Sequence, residues 1–161
     1  MSDLRNNHTL PPALYVVATP LGNPDDLSER AKRILGQCHM ILAEDTRITR
    51  RLLNYFNIDR RIISFNAHSE SGKSEKALDV IAGGQALALV SDAGTPGISD
   101  PGRFIVNQAF EKGINVVPIP GPSALTAALS VSGLPASQLL FIGFLPTKTG
   151  PRNETLRKSL L

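Results

Sequence analysis

The chain has 161 residues, of which 42% are hydrophobic and 19% charged, and its formal net charge is +3. This composition is typical of a soluble globular protein, and the length suffices for one domain with a substantial core. The sequence lacks both the apolar run of about 18 residues that a transmembrane helix needs and the pattern of a signal peptide. Its single cysteine, Cys38, excludes an internal disulfide and is predicted to be a buried apolar side chain in a cytoplasmic protein.

After a polar lead over residues 1–12, apolar runs alternate with helical patterns along the chain. Continuous apolar runs are typical of strands that are buried on both faces of a parallel sheet. Short connections between such elements favour right-handed crossovers. We therefore predict an α/β fold, a five-stranded parallel sheet with helices on both faces. The predicted strands are 14–18, 40–43, 62–65, 86–90 and 115–119, and the predicted helices are 27–35, 46–56, 75–82, 103–113 and a small-residue helix after residue 123.

Local signals predict where individual helices begin and end. Asp26 and Glu29 match a capping box for the first helix, and Gly36 is predicted to end it. Asp100 is predicted to cap the fourth helix, with Pro101 at its first position. The second helix is expected to present one apolar face formed by Ile48, Leu52, Leu53 and Phe56.

The last part of the sequence is predicted to belong to a second domain. We expect the first domain to span residues 13–137 and a second α/β domain to begin at 138–161, with a sixth strand over Gln138–Ile142. The positions of Leu156, Leu160 and Leu161 indicate the start of a further helix. A domain rarely ends within an amphipathic helix, so the chain is interpreted as an amino-terminal fragment.

Gly- and Pro-rich loops follow the first, fourth and fifth predicted strands, at residues 19–26, 91–102 and 120–124. Ligands of open α/β sheets bind at the carboxyl ends of the strands, which is the edge these loops share. Neither the Walker A pattern nor G-x-G-x-x-G occurs in them. Glycine lets the backbone approach a ligand closely, so the loops predict a small-molecule pocket built largely from backbone. No metal-ligand spacing occurs, and no metal is expected.

Several segments, in this order, carry a resemblance to a known family: TPLGNPDDLSERA (19–31), AEDTR (43–47), VSDAGTPGISDPG (90–102), PGPSAL (120–125) and GFLP (143–146). They resemble the tetrapyrrole methylase superfamily and, more narrowly, its small-subunit ribosomal RNA methyltransferase I family. The resemblance implies that S-adenosyl-L-methionine is the cofactor and that a cytidine 2′-oxygen of 16S ribosomal RNA, free or in the small subunit, is the substrate. It further implies a cytoplasmic protein that forms a homodimer at full length.

The resemblance also implies which residues contact the cofactor. They lie in the same three loops, and the first loop is expected to lie near the methyl group or the substrate. The residues are Pro20, Leu21, Ser91, Asp92, Ala93, Gly94, Gly97, Ile98, Ser123 and Ala124.

The charged group after the second strand offers candidate catalytic residues. A ribose hydroxyl is a poor nucleophile, so a base or an orienting group would assist its methylation. We expect Asp45 or Glu44 to orient or deprotonate the hydroxyl, and Arg47 to hold a phosphate or the ribose. Equally, Glu44–Arg47 could be a helix N-cap with an ion pair.

RNA affinity is expected to come from cations that meet phosphates. Arg47, Arg50 and Arg51 are predicted to share a helix face beside the pocket. The loop at residues 66–74 is either a flap over the substrate or a disordered segment. The further candidates are Arg60, Arg61, His68, Lys73, Lys76, Lys148, Arg152, Arg157 and Lys158.

Two other functions are compatible with the residues. One is a methyltransferase of the same superfamily that acts on a small molecule or a protein. The other is a non-enzymatic RNA-binding or assembly module that kept the fold. The first loop, which lacks the Gly-x-Gly-Pro-Gly-like run of the tetrapyrrole enzymes, favours RNA over both a corrin and a porphyrin as substrate.

Overall fold

The computed structural model describes residues 9–66 and 70–159. Each of the five predicted strands is present, with its ends within one residue of the prediction. The strands are β1 (Leu14–Val17), β2 (Met40–Ala43), β3 (Ile62–Ser64), β4 (Leu87–Val90) and β5 (Val116–Ile119). The helices are α1 (Glu29–Gln37), α2 (Thr46–Tyr55), α3 (Glu70–Ala82), α4 (Arg103–Glu111), α5 (Ala124–Val131) and α6 (Thr149–Ser159).

The strands form one sheet in the order β3-β2-β4-β1-β5, and all neighbouring strands are parallel. This confirms the predicted α/β class. Strand β4 lies between β2 and β1, so the loops that follow these three strands leave the sheet side by side. The sheet order therefore brings together loops that are up to about seventy residues apart in the sequence.

Side chains alternate across β4, which places half of them on each face of the sheet. Ala88 and Val90 pack with α1 and α2 in one buried cluster, whereas Leu87 and Leu89 pack with α3 and α4 in another. Helices thus cover both faces, as predicted. Cys38 is buried in the first cluster, and burial raises the pKa of its thiol to about 11, which agrees with its prediction as an apolar core residue.

The first helix begins later than the sequence signals predict. Residues Pro24–Asp26 form a 3₁₀ turn of their own, and the backbone is extended at the next residue. The Ser28 hydroxyl, not Asp26, caps α1, because it accepts a hydrogen bond from the Ala31 N–H at 3.1 Å. The predicted capping box is therefore wrong, and α1 continues one residue beyond Gly36.

Helix α3 begins at Glu70, five residues before the predicted start. Part of the predicted loop at 66–74 is therefore helical, and Lys73 donates to the Ser64 carbonyl at 2.6 Å. Residues 67–69 of that loop, including the predicted RNA contact His68, lie outside the described residues.

The predicted cap of α4 is also wrong. Gly102 occupies the N-cap position with φ +132°, and glycine has no side chain with which to cap the helix. Pro101 consequently precedes the helix instead of opening it. The sharp turn at Gly102 separates Asp100 from the first helical N–H groups, and its carboxyl lies near Ser91 and Asp92 instead.

The predicted sixth strand is absent, because residues 138–142 are irregular and their apolar side chains are exposed. A strand needs a neighbour that accepts its backbone hydrogen bonds, and residues 125–159 contain no other strand. The described part of α6 agrees with the predicted late helix. Contacts divide the chain into two units, the first ending at Ala124 and the second beginning at Leu125. The proposed boundary after residue 137 stays a prediction.

Within the described residues, no helix combines the length and the apolar character needed to cross a bilayer.

Candidate active site

A short antiparallel bridge ties the loop after β1 to the loop after β4. The Thr19 N–H donates to the Gly94 carbonyl at 2.9 Å, and the Gly94 N–H donates to the Thr19 carbonyl at 3.0 Å. The buried Thr19 hydroxyl also donates to the Ser91 carbonyl at 3.1 Å. These bonds engage both polar backbone groups of Gly94 and hold the two loops together.

Glycine at position 94 is favoured chiefly by its backbone conformation. Its φ is +84°, a value that L side chains rarely adopt. A Cβ atom there would lie 3.3 Å from Leu21 Cδ2 and 3.8 Å from the Pro122 carbonyl oxygen. The Thr95 hydroxyl donates to that same carbonyl at 3.3 Å. The three Gly- and Pro-rich loops therefore meet at this point, as the sequence predicts.

Two carboxylates join the loop after β2 to the loop after β4. Asp92 Oδ1 accepts from the Asp45 N–H at 3.0 Å, and Glu44 Oε2 accepts from the Asp92 N–H at 3.3 Å. Each loop thus supplies a carboxylate to the backbone of the other. This exchange holds the start of α2 in a defined position relative to the β4 loop.

Burial is the main cause that raises the pKa values of two carboxyls in this region. The pKa of Glu44 is raised by burial and by the nearby charges of Asp92, Asp100 and Asp45, while the Asp92 N–H opposes the shift. The pKa of Asp100 is also raised by burial and by Asp92, while the adjacent Ser91 hydroxyl opposes it. Glu44 is consequently a better proton acceptor than an ordinary surface glutamate.

Asp45 and Arg47 form the helix cap and ion pair that the sequence offered as an alternative. Asp45 Oδ1 accepts from the Arg47 backbone N–H at 2.8 Å and from its Nε at 3.1 Å, and Oδ2 lies 2.7 Å from an Arg47 terminal nitrogen. The guanidinium and this N–H hold the pKa of Asp45 at about 2. A carboxylate with so low a pKa is a weak base at neutral pH, although it still accepts hydrogen bonds.

An apolar groove of about 400 Å³ lies between α2 and the loops after β1 and β4. Asp92 and Ala93 contribute to it from the β4 loop, at the carboxyl edge of the sheet. The remaining lining residues are Pro20, Leu21, Gly22, Pro24, Ile48, Arg51, Leu52 and Tyr55.

A second, more open depression of about 520 Å³ lies beside α2. Thr46, Arg47, Arg50 and Ile62 line it. The Arg50 guanidinium donates to the Arg60 carbonyl at 3.2 Å and lies 3.7 Å from the Asp59 carboxylate. The predicted basic group is therefore divided, because Arg51 lines the apolar groove while Arg47 and Arg50 line this basic depression.

The fold and these loops agree with a known family. Residues 13–161 match the family model described as tetrapyrrole (corrin/porphyrin) methylases. The chain belongs to the tetrapyrrole methylase family. This confirms the resemblance that the sequence motifs carry.

Similar curated proteins indicate a narrower group within this family. It is 53% identical over 146 residues to the ribosomal RNA small subunit methyltransferase I of Xylella fastidiosa, which covers 91% of this chain and 54% of that protein. It is 46% identical over 156 residues to the protein of the same name from Vibrio cholerae, covering 95% and 54%. The chain spans about half the length of the curated relatives that it matches.

Solved structures confirm the methylase fold. A uroporphyrin-III C-methyltransferase from Thermus thermophilus superposes with a TM-score of 0.57 at 20% identity, covering 78% of this chain and 53% of that one. A structure of that kind of enzyme in complex with S-adenosyl homocysteine gives a TM-score of 0.56 at 21% identity, covering 79% and 54%.

The groove contains only some of the residues that the sequence proposes for the cofactor. Pro20, Leu21, Asp92 and Ala93 line it. Ser91, the first residue of the loop after β4, is buried, and Ile98 is 59% exposed. The proposed residues that are not part of the groove lining are Ser91, Gly94, Gly97, Ile98, Ser123 and Ala124.

The contribution of α2 to the groove was not predicted from the sequence. Ile48 and Leu52 were expected on the same apolar face as Leu53, whereas of these three only Leu53 is fully buried. Ile48, Leu52 and Tyr55 follow one another at intervals of four and three residues, so they form a separate helical stripe along the groove. That spacing is the signal that could have revealed it.

Proposed function

We propose that the protein carrying this chain transfers a methyl group from S-adenosyl-L-methionine to the 2′-oxygen of a cytidine in 16S ribosomal RNA. The names of curated relatives at 45–53% identity support this substrate class. A cytoplasmic location and a homodimer at full length belong to the same proposal.

The observation that carries the proposal is the composition of the groove walls. One wall contains Pro20, Leu21, Asp92 and Ala93, which the sequence motifs assign to the cofactor. The other wall is α2, whose Arg51 side chain is suited to an RNA phosphate. A single groove therefore combines residues proposed for the cofactor with residues suited to the polyanionic substrate.

The residues present fit S-adenosyl-L-methionine, which carries an adenosine, a carboxylate, an ammonium group and a sulfonium cation. The Asp92 carboxylate, which lines the groove, suits a ribose hydroxyl or a cationic group of this cofactor. When bound, this cofactor supplies an activated methyl group. The Thr19–Gly94 bridge fixes the two loops in advance, so less conformational entropy is lost when a ligand binds.

We propose different roles for the three candidate catalytic residues. Glu44, with its raised pKa, accepts the proton of the 2′-hydroxyl, and Asp45 orients that hydroxyl through a hydrogen bond. The Arg47 guanidinium pairs with Asp45, yet 88% of its side chain is exposed, so it can also meet an RNA phosphate.

The test is mass spectrometry of ribosomal RNA from cells that lack the protein. We expect one ribose methyl group on a cytidine of the small-subunit RNA to disappear, and the wild-type gene to restore it. Glu44→Gln should restore it poorly, because the amide accepts no proton, whereas Lys158→Gln on α6 should restore it fully. An unchanged set of ribose methyl groups would refute the proposed function.

The chain alone should bind the cofactor weakly and show no turnover, because relatives about twice as long carry the activity in their name. Isothermal titration calorimetry with the 161-residue chain tests this expectation. Tight binding would mean that residues 1–161 contain the whole cofactor pocket.

A further inference from the structure

Helix α2 exposes an apolar stripe to the groove. Tyr55 is 59% exposed and Ile48 is 43% exposed, although the opposite side of the same helix buries Leu53 completely. Leu52 lies between them in the stripe and is half-buried. Contiguous exposed apolar side chains that line a concave surface indicate a binding site.

The facing wall of the groove is also apolar and conformationally restricted. It is formed by Pro20, Leu21, Gly22 and Pro24, and the Thr19–Gly94 bridge anchors its first residues. Two proline rings fix the backbone of this wall in advance. The result is a preformed slot of about 400 Å³, which lies in the usual size range of small-molecule sites.

The Tyr55 ring, which lines this slot, packs against its neighbour in the sequence. The rings of Tyr55 and Phe56 meet edge to face, with centroids 4.9 Å apart and an interplanar angle of 81°. Phe56 packs against the core, and the Lys32 ammonium lies 4.6 Å from its ring centroid. The Tyr55 ring is thus both accessible and oriented before any ligand binds.

Arginines of α2 beside the stripe determine what kind of ligand the slot suits. Arg51 lines the slot itself, and Arg47 and Arg50 line the basic depression beside α2. Flat apolar groups joined by a chain of negative charges match this pattern of an apolar slot next to cations. Single-stranded nucleic acid has that chemistry, with bases that stack on aromatic rings and phosphates that pair with arginine.

We propose that this slot is the subsite for one unstacked nucleobase of the RNA, with the Tyr55 ring stacking on the base and Arg51 pairing with the adjoining phosphate. The subsite rests on the proposed function and specifies how its substrate is held. A base in the slot lies in the same groove as Asp92 and Ala93, which the sequence motifs assign to the cofactor. The slot thereby selects single-stranded over duplex RNA, since a paired base cannot enter it.

The test compares the affinities of the 161-residue chain for two probes by fluorescence anisotropy. One probe is a short single-stranded oligocytidylate, and the other has the same backbone with abasic positions in place of the bases. Tyr55→Ala should weaken binding of the oligocytidylate by about 5- to 100-fold, as expected for the loss of one stacking interaction. It should leave the affinity for the abasic probe unchanged, a pattern that general unfolding would not produce.

Three further variants complete the experiment. Tyr55→Phe, which keeps the ring, should retain the oligocytidylate affinity within about twofold. Phe110→Ala removes another exposed aromatic side chain, on α4 at the opposite face of the sheet, and serves as the matched control. Arg51→Ala should weaken binding of both probes and reduce the salt dependence of the affinity.

Several results would overturn the subsite. Equal losses of affinity for both probes in Tyr55→Ala would mean that this residue acts through structure and not through stacking. Unchanged RNA binding together with weaker binding of S-adenosyl-L-methionine would assign the slot to the adenine of the cofactor. If the unmodified chain binds neither probe, the proposed subsite is also excluded. The ribose-methyl measurement does not depend on these probes, so failure of the subsite and failure of the proposed function are distinguishable.

Discussion

Replacement of Gly102 by alanine tests how the loop after β4 is packed against the core. Gly102 has φ +132° and ψ −21° at the start of α4, and an added Cβ would lie 2.7 Å from Leu89 Cδ2. Leu89 is only 1% exposed and packs in the cluster with α3 and α4, so it has little room to move. The variant therefore combines backbone strain with overpacking of the core.

The size of the effect follows from these two contributions. A side chain in so sparsely populated a backbone region costs about 1–3 kcal/mol, and forcing a methyl group into a packed core costs about 1–3 kcal/mol. We expect Gly102→Ala to lower the free energy of unfolding by roughly 4 kcal/mol, the sum of the two central values. Gly84→Ala is the matched control, because Gly84 has φ +92° and no atom within 4 Å of the added Cβ. It should cost about 2 kcal/mol, from strain alone.

Urea denaturation followed by circular dichroism measures both values. A double variant with Leu89→Ala makes room for the new methyl group, so in that background Gly102→Ala should cost only about 2 kcal/mol. If Gly102→Ala and Gly84→Ala destabilise the chain equally, the proposed clash with Leu89 is refuted. The same conclusion follows if removal of the Leu89 side chain leaves the cost of Gly102→Ala unchanged.

Two further predictions concern helix caps. Ser28→Ala should lower the free energy of unfolding by about 1 kcal/mol, because the Ala31 N–H loses its acceptor. Asp26→Ala should change the free energy of unfolding by less than about 0.5 kcal/mol. Equal effects of the two variants in urea denaturation would mean that Asp26 also caps the helix. Arg47→Ala should raise the pKa of Asp45 from about 2 towards its ordinary 3.8, as measured by NMR titration of the carboxyl carbon. The lowered pKa of Asp45 stabilises the folded chain above pH 3.8, and this contribution is lost as the pH falls towards 2. The free energy of unfolding of Arg47→Ala should therefore depend less on pH between 3.8 and 2 than that of the unmodified chain. An unshifted Asp45 pKa would show that the ion pair does not form in solution.

The strands and the class of the fold were predictable because their signals are local. Each strand is a continuous apolar run, and a strand such as β4, with neighbours on both sides and helices on both faces, needs apolar residues at every position. The motifs of the Gly- and Pro-rich loops likewise indicated the family and the edge of the sheet where ligands bind. The capping box at Asp26 failed because Asp26 belongs to the 3₁₀ turn Pro24–Asp26, so that Ser28 is the residue positioned to cap α1.

The candidate site could be predicted only in part. The loop residues Pro20, Leu21, Asp92 and Ala93 do meet in one groove, as their shared edge of the sheet predicts. Ile48 and Leu52 were predicted to share one apolar face with Leu53, because a hydrophobic residue at helical spacing has the same sequence signal whether it faces the protein or a ligand. Only the packing of α2 against its neighbours separates the two faces.

The sequence by itself determined the alternation of strands and helices, the placement of the glycines and prolines, and the cluster of charges after β2. These are properties of single residues and of short periodic patterns. The tertiary structure alone decided that Asp92 serves the backbone of Asp45 while Glu44 serves that of Asp92, and that Asp100 caps no helix. Such hydrogen bonds join residues nearly fifty positions apart, and they depend on the sheet order that places β4 beside β2.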